Sequence, residues 1–546
     1  MPPDEHSASA TLTPGSASAV WRLVSLAAIT ALAAFLRLWQ AGESLWIDEL
    51  HTSWVVSGTL DDVLPRAAMG NQSPLYFWGM WLLVQVTGQS EWTLRLPSLV
   101  AGIALPAVVF YLVGQVSNLS KDNSGQVKNL SYVSLAAALL VAIDPVCIFY
   151  AQEARPYAWV MLLAVVELVL LKRLIERPTL AWRLALLANS LVLFYLHYTT
   201  AIFLGGLVVM LPMLVRVTGS AYQTRNLVLD LLLAAALAAP GVVQMTHIFE
   251  RRTNWEAFVQ NPSWQKLFTE VPFAAWALAG AVVVALTLLV PRVLPGNALT
   301  RGFASAAQPT ASRPNALWYF VLLGSILIPL QLSWSITAFD AARIYHIRYL
   351  VALVPLSAAA ACLAIAWVPW RAVQVTALVA LAGWHLYDSR MIVQFGRDGR
   401  FLAARSEDWR SAIAFLNSQI QRDPTAIIIV EPSLIEERGS NPDEYELFAV
   451  DGLYRLSHDE TYSNDSLNGI KAEVALLQLP PTDEPRRAWY VIRGAKPAHM
   501  KLTAWLDEVA DYYAEEILSG KRNITEHQTF QGVCVIRTEW PVKQQH

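Results

Sequence analysis

Long apolar runs separated by short polar segments dominate the first 390 residues of the chain. Each run has about the length that crosses a bilayer core as a helix, roughly 20 residues. The pattern therefore predicts an all-α polytopic membrane protein with about eleven transmembrane helices. The predicted spans are 20–39, 94–116, 131–150, 157–175, 181–199, 201–217, 227–248, 271–291, 316–337, 349–369 and 372–388.

The polar segments predict an orientation. The tail 1–19 is rich in Ser, Ala, Thr and Pro, which is typical of disorder. With this tail in the cytoplasm, alternation places the first loop and the C-terminal part outside, and basic residues of the inner loops support that choice. Some arginines fall on the outer side against the usual bias, and an anionic ligand there would account for them. They are Arg66, Arg95, Arg155, Arg251, Arg252, Arg343 and Arg348.

The first outer loop, 41–91, has a pattern of its own. Segments 48–57 and 60–69 are typical of short helices. Ser73 and Pro74 then open an aromatic, apolar segment that is short for a span. We expect this segment to lie along the membrane surface or to dip into it.

Beyond residue 390 the composition changes, and no apolar run of membrane length follows. Predicted strands cover 426–430, 489–492 and 532–536, and predicted helices cover 409–420 and 502–518. Alternating strands and helices are typical of a small α/β domain. The predicted organisation is a transmembrane domain over 20–390 and an extracytoplasmic α/β domain over 400–546.

Composition agrees with this class. Hydrophobic residues make up 55% of the 546 residues and charged residues 15%, and the mean hydropathy is +0.38. Soluble domains contain roughly 25% charged residues. The net charge of −3 gives no indication of a nucleic-acid partner. The three cysteines, Cys147, Cys362 and Cys534, are far apart, which argues against a disulfide framework or a cysteine zinc site.

Two adjacent carboxylates and a histidine follow the first apolar run, in the sequence Trp46-Ile47-Asp48-Glu49-Leu50-His51. Charge beside a membrane is costly, so these residues are candidates for function. A carboxylate in this place can take a proton from a hydroxyl or bind a divalent cation. The alternative is an ordinary wet, acidic loop after a membrane span.

A second outer cluster contains Glu153 and Arg155, just before the fourth span. Arginine offers paired donors to phosphate oxygens, and the start of a helix adds partial positive charge. The alternative is an interfacial Glu/Arg pair anchored by Tyr157.

Two more clusters lie further along the chain. His197 and Tyr198 occupy the turn between two apolar runs, where a structural role is the commoner one. The strip from Arg343 through Arg348 to Tyr349 is a candidate phosphate-binding segment, with lipid-headgroup anchoring as its competitor. Walker-type loops, dinucleotide fingerprints and serine-nucleophile elbows do not occur in the sequence. An outward-facing enzyme would also have no cytoplasmic nucleotide sugar within reach, so its activated donor would have to be carried on a lipid.

In these clusters the chain resembles the polyprenyl-phosphate-sugar-dependent glycosyltransferases of the GT-C fold. Within them it is similar to the glycosyltransferase family 39 type, which includes protein O-mannosyltransferases and lipid A aminoarabinose transferase. The order and spacing of six segments carry the resemblance. They are Trp46-Ile47-Asp48-Glu49, Ser73-Pro74-Leu75-Tyr76-Phe77-Trp78, Glu91-Trp92-Thr93-Leu94-Arg95-Leu96-Pro97-Ser98, Gln152-Glu153-Ala154-Arg155-Pro156-Tyr157-Ala158, His197-Tyr198 and Arg348-Tyr349-Leu350.

The resemblance implies an inverting transfer of a sugar from a polyprenyl-phosphate donor to a hydroxyl of a protein, lipid or glycan. The reaction would take place at the outer face of a bacterial inner membrane. Asp48 would be the general base, with Glu49 as a second carboxylate of the catalytic pair. Glu49 and Glu153 would order the site or hold a divalent cation such as Mg²⁺, Mn²⁺ or Zn²⁺, and Asp48 is a further candidate ligand of such a cation.

The remaining roles also follow from the resemblance. The donor phosphate would be held by Arg155, Arg348, Arg343 and Tyr349. Residues that would contact substrate or order the site are His51, Gln72, Tyr157, His197 and Tyr198. We accordingly expect Asp48 to face the same outer cavity as Arg155 and Arg348.

One departure from the family pattern concerns the donor side. The family often has a basic residue just before the prolines that open the aromatic segment, whereas this chain has Gln72-Ser73-Pro74. The alternative function is a lipid or sugar transporter without transferase activity. Transporters of that kind show interrupted helices in matching halves of the chain, and this sequence shows no such symmetry.

Overall fold

The structure is a computed structural model in which the residues form two compact units. Unit 1 comprises Met1–Leu38, Ser98–Gln152 and Pro156–Val393, and unit 2 comprises Trp39–Pro97, Glu153–Arg155 and Gln394–His546. The described residues are 14–117, 130–250, 259, 261–293, 315–368, 370–403, 407–423, 427–430, 436–437, 445–446, 452–456, 461–463, 486–493 and 523–540.

Helices occupy all the apolar runs that the sequence pattern predicts as spans. In chain order the helices are α1 (Pro14–Leu38), α2 (Ile47–Val55), α3 (Leu60–Met69), α4 (Pro74–Thr87), α5 (Glu91–Ser117), α6 (Ser131–Ile143), α7 (Pro145–Ala151), α8 (Tyr157–Glu176), α9 (Leu180–Leu196), α10 (Thr200–Thr218), α11 (Thr224–Glu250), α12 (Lys266–Thr269), α13 (Ala274–Val293), α14 (Ala316–Ala338), α15 (Ile347–Leu350), α16 (Leu353–Ile365), α17 (Arg371–Asp388), α18 (Met391–Asp398) and α19 (Trp409–Ile420). The two short helices predicted in the first outer loop, α2 and α3, are confirmed.

Helix length and apolar character identify a multi-pass membrane protein. Among the described residues, α1, α5, α10, α11 and α14 are each long and apolar enough to cross a bilayer, and α6 with α7 forms a sixth span if the bent pair counts as one. The predicted class, an α-helical membrane protein with a small C-terminal α/β part, is confirmed. The count of eleven stays a prediction, because α9, α16 and the apolar part of α13 are shorter helices.

The break between α6 and α7 was not predicted, and its contacts explain it. The two helices meet at an angle of 59° where Pro145, which has no N–H, follows Asp144. Asp144 caps α7 by accepting from the Cys147 amide at 2.8 Å, and His385 Nε2 lies 3.1 Å from its second oxygen. Arg37 donates to the carbonyls of Val141 and Ala142 at the end of α6. These contacts satisfy several of the backbone groups that the break releases, all within unit 1.

The C-terminal part of unit 2 contains a five-stranded mixed sheet. The strands are β1 (Ile427–Val430), β4 (Thr461–Ser463), β5 (Arg486–Arg493), β6 (Asn523–Phe530) and β7 (Val533–Trp540), with β2 (Glu436–Glu437) and β3 (Tyr445–Glu446) forming a separate pair. The order is β4-β1-β5-β7-β6. Strand β1 is parallel to β4 and β5, and β7 is antiparallel to β5 and β6.

Helix α19 covers part of this sheet through an apolar face. Trp409 and Leu416 of α19 are fully buried, as are Val491 and Val535, which lie opposite each other on β5 and β7. The helix begins after Asp408, whose side chain accepts from the Ser411 amide at 3.2 Å. The helix predicted over 502–518 lies outside the described residues.

The units divide the chain differently from the boundary predicted at 390–400. The first outer loop, 41–91, belongs to unit 2 together with the C-terminal part. The physical reason is a set of hydrogen bonds between distant segments. Arg410 donates to the Gly42 carbonyl at 2.7 Å, and Tyr454 accepts from the Leu45 amide at 3.0 Å.

Candidate active site

Helix α2 presents Asp48 and Glu49 in its first turn, where carboxylates are favoured by the positive end of the helix dipole. The helix starts with the amide of Glu49 donating to the Trp46 carbonyl at 2.8 Å. From Glu49 to Val55 the helix is buried, which fixes its rotation. Asp48 differs from Glu49, because 21% of its side chain is exposed.

Glu49 forms a buried ion pair with Arg95 of α5. The Nε and Nη2 atoms of Arg95 donate to the two carboxylate oxygens at 2.8 and 2.5 Å, and both side chains are 0% exposed. The remaining donors of Arg95 reach the carbonyls of Ala41, Glu43 and Ser44. All five N–H donors of the guanidinium are therefore used inside unit 2. Arg95 ties the loop before α2 to the helix itself.

The segment Glu153–Arg155 is held against α2 by the backbone of its middle residue. The Ala154 amide donates to Glu49 Oε1 at 2.8 Å. The Thr52 hydroxyl donates to the Ala154 carbonyl at 2.9 Å. Glu49 and Thr52 are three residues apart and so share a face of the helix. Together Glu49 and Thr52 hold the backbone N–H and the carbonyl of Ala154, and this pair of contacts is called the Ala154 clamp below.

This clamp places Arg155 beside Asp48. Nη2 of Arg155 lies 3.6 Å from Oδ1 of Asp48, and the arginine side chain is 5% exposed. Asp48 and Arg155 are thus neighbours in unit 2, and the predicted outer cavity that they would share with Arg348 stays a prediction. A carboxylate that can accept a proton and a guanidinium that can bind phosphate are thus adjacent on a rigid support.

Two roles were predicted for Glu49, a second catalytic carboxylate and a residue that orders the site, and its contacts favour the ordering role. Both of its oxygens are bonded to Arg95, one of them also to the Ala154 amide, and the side chain is fully buried. Glu49 therefore orders the site and is enclosed away from a reacting substrate. Adjacent residues on a helix point in different directions, which is why the two carboxylates separate in this way.

His51 lies in the core of the first outer loop. Its ring contacts the rings of Trp54 and Phe77 at centroid distances of 5.5 and 6.1 Å, and the side chain is 4% exposed. A side chain at Gly70 would overlap the His51 ring, so glycine is needed there. Burial, and then the charge of Arg155, hold the pKa of His51 well below its usual 6.5. The imidazole is accordingly neutral and packs as a core group.

Two more predicted residues lie in unit 2. Glu153 is 0% exposed and directly precedes the clamped Ala154. Gln72 is half-buried in the turn between α3 and α4, where its backbone N–H donates to the Ala67 carbonyl at 2.9 Å. The following Ser73 is buried at the start of α4.

Unit 1 holds the other predicted residues, and aromatic contacts connect several of them. The ring of His197 lies 5.5 Å from that of Tyr157 and 5.8 Å from that of Tyr349. The Thr199 hydroxyl lies 2.7 Å from Nδ1 of His197 and also donates to the Tyr349 carbonyl at 3.4 Å. Tyr198 lies beside this row, and its hydroxyl donates to Gln244 at 2.5 Å.

The arginine strip of unit 1 begins at the end of α14 and leads into α15. Arg343 Nε lies 3.4 Å from Asp340, and its Nη1 donates to the Val259 carbonyl at 3.5 Å. His346 caps α15 by accepting from the Arg348 amide at 3.2 Å. Burial is the main cause that lowers the pKa of His346. Arg348 and Tyr349 lie on α15, and their part in donor binding stays a prediction.

For the described residues, a divalent cation bound by Asp48 and Glu153 stays a prediction. The described residues contain no group of three or more His, Cys, Asp and Glu side chains arranged to hold an ion. Asp48 has a guanidinium at 3.6 Å, which already supplies positive charge beside it.

Several outer arginines have partners within the protein, contrary to the expectation that a ligand explains them. Arg95 binds Glu49, Arg343 lies by Asp340, and Arg66 donates to the Trp54 carbonyl at 2.9 Å while covering the Trp54 ring. The sequence pattern did not predict the ordering roles of Arg95 and Thr52. The signal that could have indicated a buried partner is the position of Arg95 near the start of an apolar helix.

No family model matches the sequence, and no curated protein matches it. Solved structures do. ArnT from Cupriavidus metallidurans bound to undecaprenyl phosphate is 12% identical, over 95% of this chain and 98% of that one, with a TM-score of 0.48. The same protein in the apo state is 12% identical, over 96% and 98%, with a TM-score of 0.40.

Arabinosyltransferase EmbB from Mycobacterium smegmatis is 13% identical, over 65% of this chain and 31% of that one, with a TM-score of 0.41.

Proposed function

We propose that this multi-pass membrane protein is a glycosyltransferase that moves a sugar from a polyprenyl-phosphate donor to a hydroxyl acceptor. The observation that carries the proposal is the pair formed by Asp48 and Arg155, whose Oδ1 and Nη2 atoms are 3.6 Å apart. The motifs around both residues, which resemble polyprenyl-phosphate-dependent enzymes, support it.

Asp48 is the general base of the proposed reaction. It takes the proton of the acceptor hydroxyl as the hydroxyl oxygen forms a bond to the anomeric carbon of the donor sugar. The bond from that carbon to the phosphate oxygen breaks, and its electron pair leaves with the polyprenyl phosphate. A single displacement of this kind inverts the configuration at the anomeric carbon. The partial exposure of Asp48 makes it the member of the carboxylate pair that a substrate can reach.

Arg155 stabilises the leaving phosphate. Negative charge grows on the phosphate oxygen as the sugar departs, and a guanidinium fixed nearby stabilises that charge without having to reorganise. The Ala154 clamp provides the fixation. Arginine is suited to this task because its paired donors match two oxygens of one phosphate.

The orientation follows from the proposed donor. Asp48 and the C-terminal sheet would lie on the extracytoplasmic side of a bacterial inner membrane, where lipid-linked sugars replace nucleotide sugars. The acceptor is a hydroxyl of a protein, lipid or glycan. No step of the mechanism requires a divalent cation.

The test uses the purified full-length protein in lipid nanodiscs with a panel of polyprenyl-phosphate sugars and hydroxyl acceptors. Release of polyprenyl phosphate is measured with and without EDTA. We expect release with at least one donor, dependent on acceptor, and unchanged within about two-fold by EDTA, because general-base and arginine chemistry suffice.

Transport without transfer gives a different result. A flippase or sugar carrier would move the intact lipid-linked sugar between leaflets and leave the bond between sugar and phosphate unbroken. Movement of intact donor without release of polyprenyl phosphate, for every donor of the panel, contradicts the proposed function.

A further inference from the structure

Side chains from the C-terminal part of unit 2 hold the backbone that leads into α2. The hydroxyl of Tyr454 accepts from the Leu45 amide at 3.0 Å and donates to Glu91 at 2.7 Å. Arg410 donates to the Gly42 carbonyl and to Glu91, both at 2.7 Å. The loop before the catalytic helix is thus fixed by residues from the far end of the chain.

The α2 helix itself is contacted in the same way. The Leu453 amide donates to the Ser53 hydroxyl at 2.6 Å. A side chain at Gly452 would meet that hydroxyl at 2.6 Å and the Trp54 amide at 3.0 Å, so the backbone approaches α2 as closely as only glycine allows. The segment 452–454 therefore packs directly on the helix that carries Asp48.

Glu407 contacts Ile47, the residue directly before Asp48. Its Oε2 accepts from the Ile47 amide at 2.9 Å. Ile47 is the first residue of α2, so its amide belongs to the N–H groups that have no partner within the helix. Glu407 caps the helix from another part of the chain, and its negative charge suits the N-terminal end of the helix dipole.

The same side chain connects this cap to the sheet. Oε2 of Glu407 also accepts from the indole N–H of Trp409 at 2.7 Å, and Oε1 accepts from Nε of Arg493, at the end of β5, at 2.7 Å. Glu407 is 5% exposed and Trp409 is fully buried. Because the Glu407 side chain is buried and bonded at both oxygens, it holds the Ile47 amide in one place.

We propose that Glu407 is a positioning residue for Asp48, which makes the C-terminal α/β part a working part of the active site. The proposal rests on the proposed function, because it takes Asp48 as the general base. Without the cap the first turn of α2 loosens and the carboxylate of Asp48 shifts. A shift of about 1 Å at a reacting group costs roughly 10²-fold in rate.

The test compares two substitutions at Glu407 in the full-length protein. We expect Glu407→Ala to lower kcat roughly 10²-fold. The KM for the donor should change less than about two-fold, because Glu49, which holds Ala154 next to Arg155, is itself fixed by Arg95 of α5. Glu407→Gln keeps an oxygen that accepts from Ile47 and Trp409. We expect it to retain kcat within about ten-fold of the wild type.

The matched control is Arg487→Ala on β5, the strand that also carries Arg493. Arg487 pairs with Asp423 and Glu539, at 3.0 and 3.2 Å, at the opposite end of β5 from Arg493. We expect wild-type kcat in this variant. Amide hydrogen exchange over 47–50, measured in all variants, should speed up in Glu407→Ala alone.

The outcomes separate the two proposals. Wild-type kcat in Glu407→Ala, or equal losses in Glu407→Ala and Arg487→Ala, overturns the positioning role while the transferase assignment stands. A wild-type protein that releases no polyprenyl phosphate overturns the transferase assignment. In that case the exchange measurement still decides whether Glu407 caps α2.

Discussion

Asp48 and Glu49 carry the same functional group one position apart, yet their surroundings give them different tasks. Glu49 is fully buried against Arg95, whereas Asp48 is 21% exposed and lies beside Arg155. The motif Trp46-Ile47-Asp48-Glu49 was sufficient to predict that the pair matters. It could not separate the two roles, because the partners of Glu49 come from α5 and from the segment around Ala154.

Arg155 allows a direct test of the phosphate-binding role. We predict that Arg155→Gln lowers kcat/KM by about 10²- to 10³-fold, because a fixed donor to the developing phosphate charge is lost. Arg155→Lys should recover part of that loss, since lysine keeps the charge and loses the paired donors. The measurement is steady-state release of polyprenyl phosphate, with Arg487→Gln as the control. Wild-type kcat/KM in Arg155→Gln contradicts the role.

His51 makes the stability of the protein depend on pH. Its pKa in the folded state lies well below 6.5 because of burial and of the Arg155 charge. The unfolded chain therefore binds a proton as the pH falls through about 6.5 while the folded state does not, and stability decreases by up to about 1.4 kcal/mol per pH unit.

We predict a thermal unfolding midpoint that falls as the pH is lowered from about 7.5 to about 5.5. The fall should be smaller in His51→Asn, which has no titrating ring. Measuring both proteins at each pH cancels the contribution of other groups. Identical slopes for the two proteins would show that His51 is not held neutral.

At the scale of elements, local pattern predicted the helices well and their junctions poorly. The bounds of α2 and α3 follow from apolar spacing and from acidic residues in the first turns. The bend at Asp144 was missed, because the run 135–150 is apolar apart from Asp144. What stabilises the bend is Arg37, more than a hundred positions earlier in the sequence.

Breaking the buried ion pair between Glu49 of α2 and Arg95 of α5 should strongly destabilise the protein. We predict that Glu49→Gln destabilises the protein by about 3 to 5 kcal/mol, because removing one partner leaves the Arg95 charge buried without its counterion. The measurement is the shift of the thermal unfolding midpoint in detergent.

The control for this prediction is Glu526→Gln. Glu526 lies 3.8 Å from Arg537 with 43% of its side chain exposed, and such surface pairs contribute roughly 0 to 1 kcal/mol. A Glu49→Gln midpoint no lower than that of the control would mean that the buried pair does not support the fold.

At the scale of the whole molecule, the sequence predicted the fold class, and the predicted domain boundaries stay a prediction. Hydrophobic periodicity identifies helices and strands, and it therefore indicated a membrane part followed by an α/β part. It carries no information on the hydrogen bonds from Glu407, Arg410 and Tyr454 to the first outer loop, which connect residues from opposite ends of the chain. Those bonds place the loop with the C-terminal part in unit 2.

The central claim is that the carboxylate of Asp48 takes the proton in transfer from a polyprenyl-phosphate sugar, and one substitution tests it most directly. Asp48→Asn keeps the size of the side chain and removes its basicity. Release of polyprenyl phosphate should fall by about 10²- to 10⁴-fold, with membrane insertion and thermal midpoint unchanged. Asp61→Asn, an exposed carboxylate on the neighbouring α3, should retain wild-type turnover. Wild-type turnover in Asp48→Asn would contradict the account.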